Sequence, residues 1–317
     1  MSKKIESPSD PIRQKFTQAL EELVAEVKRD KSILAAVLCG SLSHDAVWAK
    51  SDIDLLLISA DDKKADSSSV ALYANGVNVH ALLMSRTQFR RIAEGSLRNS
   101  FMHSFLAKGR VLYAHDDTIP AMYSRLQDIG ERDTQIQLLR AGIQSLGPVD
   151  KAHKWMITRG DLDYSALWIL HAATALARIE ILSARRLADR EVIPQAMLLN
   201  PAFFKVVYAD LLNTKKTVKN VQAALDAIDD YLAKHAPELF GLIIDHLREA
   251  GDTRSASDLE AHFSRSFEVQ GVTVACEYLS DRGLICKVST PLQLTKRSNI
   301  SLQEMAFVYV QKAEDAY

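Results

Sequence analysis

The chain has 317 residues, with 39 Lys and Arg against 40 Asp and Glu, a net charge of −1, and 47% apolar residues. That length accommodates roughly two or three domains. The balance excludes a disordered chain, a collagen-like fibre and a protein that coats polyanions through bulk charge. Residues 1–11 are polar and rich in Ser and Pro, with no apolar run of the secretory kind, and are expected to form a mobile tail. From Pro11 to Arg29, Ile12, Phe16, Leu20, Leu23 and Val27 recur every three or four residues, which predicts an amphipathic helix. Ile33 to Cys39 is a short apolar run stopped by Gly40, and Asp54 to Ser59 is a second; both suit buried strands. Asn75-Gly76 marks a turn, after which Val77 to Met84 reads as a strand. Residues 86–128 read as helical, broken by a strand at Arg110 to Tyr113 and by Pro120. From Thr134 to Ala250 the pattern is almost wholly helical, with breaks at Gly147-Pro148, Gly160-Asp161, Pro194, Pro201 and Pro237, and predicts a helical bundle. Within it, Ser165 to Leu182 is the most apolar long stretch, but it contains His171, Arg178 and Glu180 and reads as a buried helix, not a membrane span. The last segment predicts helices at Ser255–Ser264 and Gly271–Arg282, a hairpin of Leu284–Ser289 and Leu292–Lys296, and a closing helix at Ser301–Val310. With a helix from Pro237 to Glu249 placed first, that is the outline of a winged helix.

The segment that carries chemistry is Gly40-Ser41, ten residues, then Asp52-Ile53-Asp54. Gly40 ends a strand and lets the backbone turn sharply beside a ligand. Ser41 opens a helix whose free amides can face a phosphate. Asp52 and Asp54 are two apart on a strand, so both carboxylates leave one face while Ile53 and Leu55 enter the core. Two adjacent carboxylates repel unless a cation sits between them, and oxygen ligands suit Mg²⁺ (or Mn²⁺).

Cys39-Gly40-Ser41 followed by Ser51-Asp52-Ile53-Asp54-Leu55 resembles the signature of the DNA polymerase beta-like nucleotidyltransferase superfamily. The resemblance implies that Gly40 and Ser41 contact the triphosphate of an NTP, with Ser51 counted among the nucleotide-binding residues, and that Asp52 and Asp54 bind the metal. It implies transfer of a nucleoside monophosphate to a hydroxyl of a small molecule or protein, in a cleft between this domain and the bundle. The family carries a third acid on an adjacent strand. Here that strand, Val77 to Leu82, offers only Asn78 and His80. Two readings stay open: His80 serves as base and metal neighbour, or the acid is lost and transfer is slow or absent, leaving a binding or regulatory protein. Small-substrate members often carry Arg-Gly after Gly-Ser, where this chain has His44-Asp45.

The expected architecture is a multidomain α+β chain. After the tail come a nucleotidyltransferase-like α/β domain at 12–130, an all-α bundle at 131–236 and a winged-helix-like domain at 237–317. Arg98 and His103 fit the Arg-x4-His spacing of HEPN ribonucleases but fall in the first domain and read as a chance match. Arg185, Arg186 and Arg190, and His153-Lys154-Trp155, could meet a substrate; such residues more often serve helix ends and cores. Residues 255–317 hold six Lys and Arg against eight Asp and Glu, and the helix Gly271–Arg282 presents Glu277 and Asp281. DNA binding needs cations that neutralise phosphates, so interaction or homodimerisation is the favoured role of this segment. Cys39, Cys276 and Cys286 stand at no metal-ligand spacing, so neither a disulfide framework nor a zinc site is expected, and a cytoplasmic location is the default.

Overall fold

Strand β1 (Ile33–Cys39) and strand β2 (Ile53–Ser59) are aliphatic runs because both of their faces are covered. In the computed structural model they pair antiparallel at the centre of a five-stranded sheet of order β3-β4-β2-β1-β5. The structure describes residues 10–44, 49–60, 68–93, 109–127, 131–186, 188, 191–295, 297 and 299–310. Strand β4 (Val77–Ser85) runs parallel to β2, and β3 (Ser68–Ala74) and β5 (Arg110–Ala114) close the edges. Helix α1 (Asp10–Val27) lays Phe16, Ala19 and Leu20 on one face, against Ala36, Leu38, Ile53, Leu55, Leu57, Val79 and Ala81. Helix α2 (Arg86–Ala93) packs against β2 and β4, and α3 (Thr118–Ser124) against α2 and β5. Strand β3 is a correction to the sequence reading, which has no strand there. Only Leu72 and Ala74 of its Ser-Ser-Val-Ala-Leu-Tyr-Ala run are partly buried against the core, and the rest is exposed at the sheet edge, so the apolar pattern is weak. The Asn75-Gly76 turn does join β3 to β4, with φ of 48° and 73°, the two positive values that a tight hairpin of matching twist requires.

The chain divides into two compact units, Met1–Ile129 and Gly130–Tyr317. The second begins with α4 (Glu131–Arg159) and α5 (Leu162–Ser183), separated at Gly160-Asp161, where the Asp161 carboxylate accepts the Tyr164 amide at 2.9 Å. Helix α6 (Val192–Leu199) follows, then α7 (Pro201–Phe204), a π-helical turn (Lys205–Ala209) and α8 (Asp210–Asn213). Helix α9 (Val218–Leu239) starts on a Thr217/Asn220 capping box, and α10 (Gly241–Ala250) stops at Gly251, φ 66°. The remainder is β6 (Arg254–Ser255), α11 (Ala256–Phe267), α12 (Val272–Asp281), β7 (Cys286–Leu292) and β8 (Leu302–Val308), in a three-stranded sheet of order β6-β8-β7.

Several breaks expected from sequence are absent. Pro148 lies inside α4 and Pro237 inside α9. An interior proline costs about 3 kcal/mol. Around Pro148, Leu138, Leu139, Leu146, Val149 and Ala152 are buried, and at about 1.5–3 kcal/mol for each large apolar side chain that burial outweighs the cost. The closing helix expected at Ser301–Val310 is strand β8, and the hairpin it forms with β7 replaces the one expected at Leu284–Lys296. One apolar core runs through the unit, joining Ile169 and Leu176 of α5, Ile228 of α9, Phe240, Phe263 of α11, Ala275 of α12 and Phe307 of β8. It is continuous across residues 236 and 237. Arg140 of α4 reinforces it by donating to the Phe267 and Glu268 carbonyls at 2.6 and 3.3 Å. Among the described residues one helix, Leu162–Ser183, is long and apolar enough to cross a membrane. Its Ile169, Leu176, Ile179 and Leu182 sit in this core, as in the core helix of a globular unit. The Arg98/His103 pair lies outside the described residues.

Helices α4 and α9 are also tied by His153 Nε2 and an Asp229 carboxylate oxygen, 2.9 Å apart. The hydrogen bond to Asp229 raises the imidazole pKa against the opposing effect of burial, with Asp150 and Asp226 adding negative charge nearby. A raised folded value means stability that is fully present below about pH 6.5, the free imidazole value, and lost as pH rises through the folded one. Asp229→Asn should therefore flatten this part of the pH dependence, read as urea midpoints between about pH 6 and about pH 9.

Candidate active site

Strand β1 ends at Cys39, and the chain reverses at Gly40, whose φ is +67°. A 3₁₀ turn, Ser41–His44, follows; the Ser43 amide and hydroxyl both donate to the Gly40 carbonyl, at 3.1 and 2.6 Å. Antiparallel pairing sets Cys39 opposite Asp54, and the parallel pairing of β2 with β4 sets Asp54 opposite His80. Opposed residues share a sheet face, so Cys39, Asp54 and His80 form one row across three strands. The Asp54 carboxylate lies directly over Gly40: a Cβ added there would stand 2.0 Å from Oδ2. Glycine is thus required at position 40 for backbone conformation and for space.

Asp52 precedes β2, and its Oδ2 lies 3.8 Å from His80 Nδ1, with 34% of the Asp52 side chain and 57% of the His80 side chain exposed. His80 is therefore the cross-strand neighbour of one aspartate and borders the carboxylate of the other. Asn78 is exposed and pairs with Tyr73 of β3; the register that matches Ile53 to Val79 sets it level with Asp52. Ser51 is partly buried in the approach to β2. Asp45 lies outside the described residues. Among the described residues, no three His, Cys, Asp or Glu side chains already converge as a metal-holding group.

The floor of the site is apolar. Cys39 is fully buried, and burial, followed by the Asp54 charge, pushes its thiol up to about 12. It is a neutral packing group and no nucleophile. Gly109 passes so close to β1 that a Cβ would meet the Leu38 carbonyl at 2.6 Å and the Tyr123 hydroxyl at 2.8 Å. Sequence reasoning missed both Gly109 and Tyr123, because a lone glycine and a lone tyrosine carry no signal of this packing. The other sequence candidates have structural partners: His153 is bonded to Asp229, and Trp155 packs edge-on against Tyr164 with centroids 4.5 Å apart. Arg185, φ 55°, lies in the turn after α5, and Arg190 falls outside the described residues.

Residues 21–118 match the family model described as polymerase beta, nucleotidyltransferase, a span that includes Gly40 and the whole Cys39–Asp54–His80 row. The first unit carries a DNA polymerase beta-like nucleotidyltransferase domain. Among solved structures, a nucleotidyltransferase-like protein from Exiguobacterium sibiricum 255-15 is similar at 17% identity and a TM-score of 0.61, over 93% of this chain and 99% of that one. The likeness is one of fold, and it extends beyond the nucleotidyltransferase domain. No curated protein matches the chain.

In this nucleotidyltransferase domain the Gly40–Asp54 contact is open to a direct test. Gly40→Ala should cost about 1 kcal/mol or more from the left-handed backbone alone. The collision with the Asp54 carboxylate adds to this. In an Asp54→Ala background the same substitution should cost less, a coupling that a double-mutant cycle of denaturant unfolding measures.

Proposed function

We propose that the protein is a metal-dependent nucleotidyltransferase that moves a nucleoside monophosphate from an NTP to a hydroxyl of a small-molecule or protein acceptor, with release of pyrophosphate. The observation that carries this reading is the Asp54 carboxylate seated on Gly40, with Asp52 beside His80 on the same sheet face. The donor set, two carboxylates at one strand end, suits a hard divalent cation. Asp52 and Asp54 would hold Mg²⁺ (or Mn²⁺). Such an ion, when bound, neutralises charge on the phosphates of the nucleotide. Gly40 keeps side-chain bulk away from the polyphosphate, and the Ser41 amide at the start of the 3₁₀ turn and Ser51 are the proposed polar contacts to it. The Asp54 carboxylate, held against Gly40, is pre-positioned, so little ordering remains when nucleotide arrives.

The C-terminal segment is proposed to be a winged helix. Its support is the element order α10, β6, α11, α12, β7, β8 with sheet order β6-β8-β7. An interaction or homodimerisation role is favoured over DNA binding. Lys287 is paired to Glu277 at 2.8 Å, and the Arg282 guanidinium covers the Tyr278 ring at 3.5 Å, so these cations already face partners on or beside α12. All three cysteines are free, Cys39 and Cys276 buried and Cys286 exposed, in keeping with a cytoplasmic location.

Asp54→Asn should abolish metal-dependent NTP binding, measured by calorimetry of the full chain with Mn²⁺ and each nucleotide. An affinity equal to wild type counts against the proposal. The imidazole of His80, standing where a third carboxylate would complete the site, favours a second reading: a nucleotide-binding regulatory protein without transfer. Radiolabelled NTP offered with hydroxyl acceptors separates the two, since nucleotide binding without any labelled product supports the second.

A further inference from the structure

We propose that β3 is a dimerisation edge: two copies of the chain join their β3 strands antiparallel about a two-fold axis at Ala71, merging two five-stranded sheets into one. Strand β3 is the outer strand of the order β3-β4-β2-β1-β5, with no strand beyond it among the described residues. The two-residue turn at Asn75-Gly76 fixes which of its backbone groups face outward. In such a hairpin the flanking pair, here Ala74 and Val77, exchanges both hydrogen bonds, and bonded pairs alternate from there. Val70, Leu72 and Ala74 therefore bond to β4, and the amides and carbonyls of Ser69, Ala71 and Tyr73 point to the open edge.

Proteins guard such edges with charge, proline or shortness. The other sheet edges of this chain carry those devices: β5 has five residues and starts at Arg110, β6 has two, and β7 contains Lys287 and Pro291. Strand β3 has seven residues and neither a charge nor a proline. It exposes Val70 at 41% and Tyr73 at 75%. The strand's fit to itself is what selects a second copy as the occupant. Full overlap of Ser68–Ala74 with its copy sets Ala71 against Ala71, Val70 against Leu72, and Ser69 against Tyr73. Small side chains meet small or large ones, apolar meets apolar, and no like charges are opposed. Each bonded pair in this register exchanges two hydrogen bonds, about six in all over Ser69, Ala71 and Tyr73. Ala71 also stands opposite His80, so the Cys39–Asp54–His80 row runs on through Ala71 into the same row of the second copy. Both candidate sites then open on one sheet face, with the two Asp54 residues five strand spacings, about 24 Å, apart.

Sedimentation velocity of the full chain should show a concentration-dependent dimer. Ala71→Lys sets two like charges on the axis and should raise the dissociation constant about fivefold or more. Ala71 is exposed in the single chain, so the substitution spares the core, which circular dichroism checks. Capture gives a second readout. Cys286→Ser removes the exposed thiol, while Cys39 and Cys276 are buried. In that background Ala71→Cys should form a disulfide-linked dimer under mild oxidation, whereas Ser68→Cys, about 20 Å from its copy, should not. A chain that stays monomeric up to about 100 μM, with no capture at position 71, overturns the inference and leaves this edge to a strand from another protein. A dimer indifferent to Ala71→Lys, or captured equally at positions 68 and 71, places the interface elsewhere and overturns it too.

Discussion

The contact between the Gly40 backbone and the Asp54 carboxylate depends on strand register, and the rest of the site depends on that contact. Cys39 pairs with Asp54, so the residue that turns the chain after β1 must sit against the acid. The register is held from the opposite face of the sheet, where Ile53 and Leu55 are buried against α1. A slip of one residue would expose both and drive Asp54 into the core. At about 1.5–3 kcal/mol for each large aliphatic side chain, the penalty for exposing them is severe. The hydrophobic core of the first unit therefore aims the carboxylate.

The two aspartates are both partly buried and differ in their neighbours. Asp54 has an apolar floor in the buried Cys39 thiol, which the neighbouring carboxylate and the lack of solvent keep protonated. Low polarity on that side strengthens the pull on an arriving cation and makes an uncompensated negative charge costly. Asp52 and His80 stand on the wet side, where water screens them.

How much of this was legible follows from which forces write themselves into local sequence. Strands β1, β2 and β4 could be read because burial on one or both faces dictates their residues; the alternation of Val77, Val79 and Ala81 with Asn78 and His80 is realised in β4. The Gly40, Asp52 and Asp54 triplet could be read because strand alternation and a strand-ending glycine are local rules. That His80 borders Asp52 could not, since it depends on the parallel register between β2 and β4. The illegible elements share a cause. β3 is an edge strand with only Leu72 and Ala74 partly buried, β8 buries only Ala306 and Phe307 outright, and the prolines at 148 and 237 are outvoted by packing that no local rule contains.

The second unit shows the same limit in its charges. A count of Lys and Arg over residues 255–317 treats each as available, whereas the structure assigns several to internal partners. Lys287 neutralises Glu277, Arg282 covers Tyr278, and the Arg265 guanidinium donates to the Ala261 carbonyl at 3.0 Å. Cations committed in this way brace their own elements, and a phosphate would have to displace those partners before gaining anything from them. Packing leaves the net charge as it is but reduces the number of uncommitted cations. The segment also exposes apolar side chains: Val274 on α12, Val288 on β7, Leu302 on β8, and Leu294 and Ile300 in the connection between those strands. Such side chains gain from burial against another apolar surface and gain little from a phosphate backbone, which is the physical basis for preferring a protein partner to a nucleic acid.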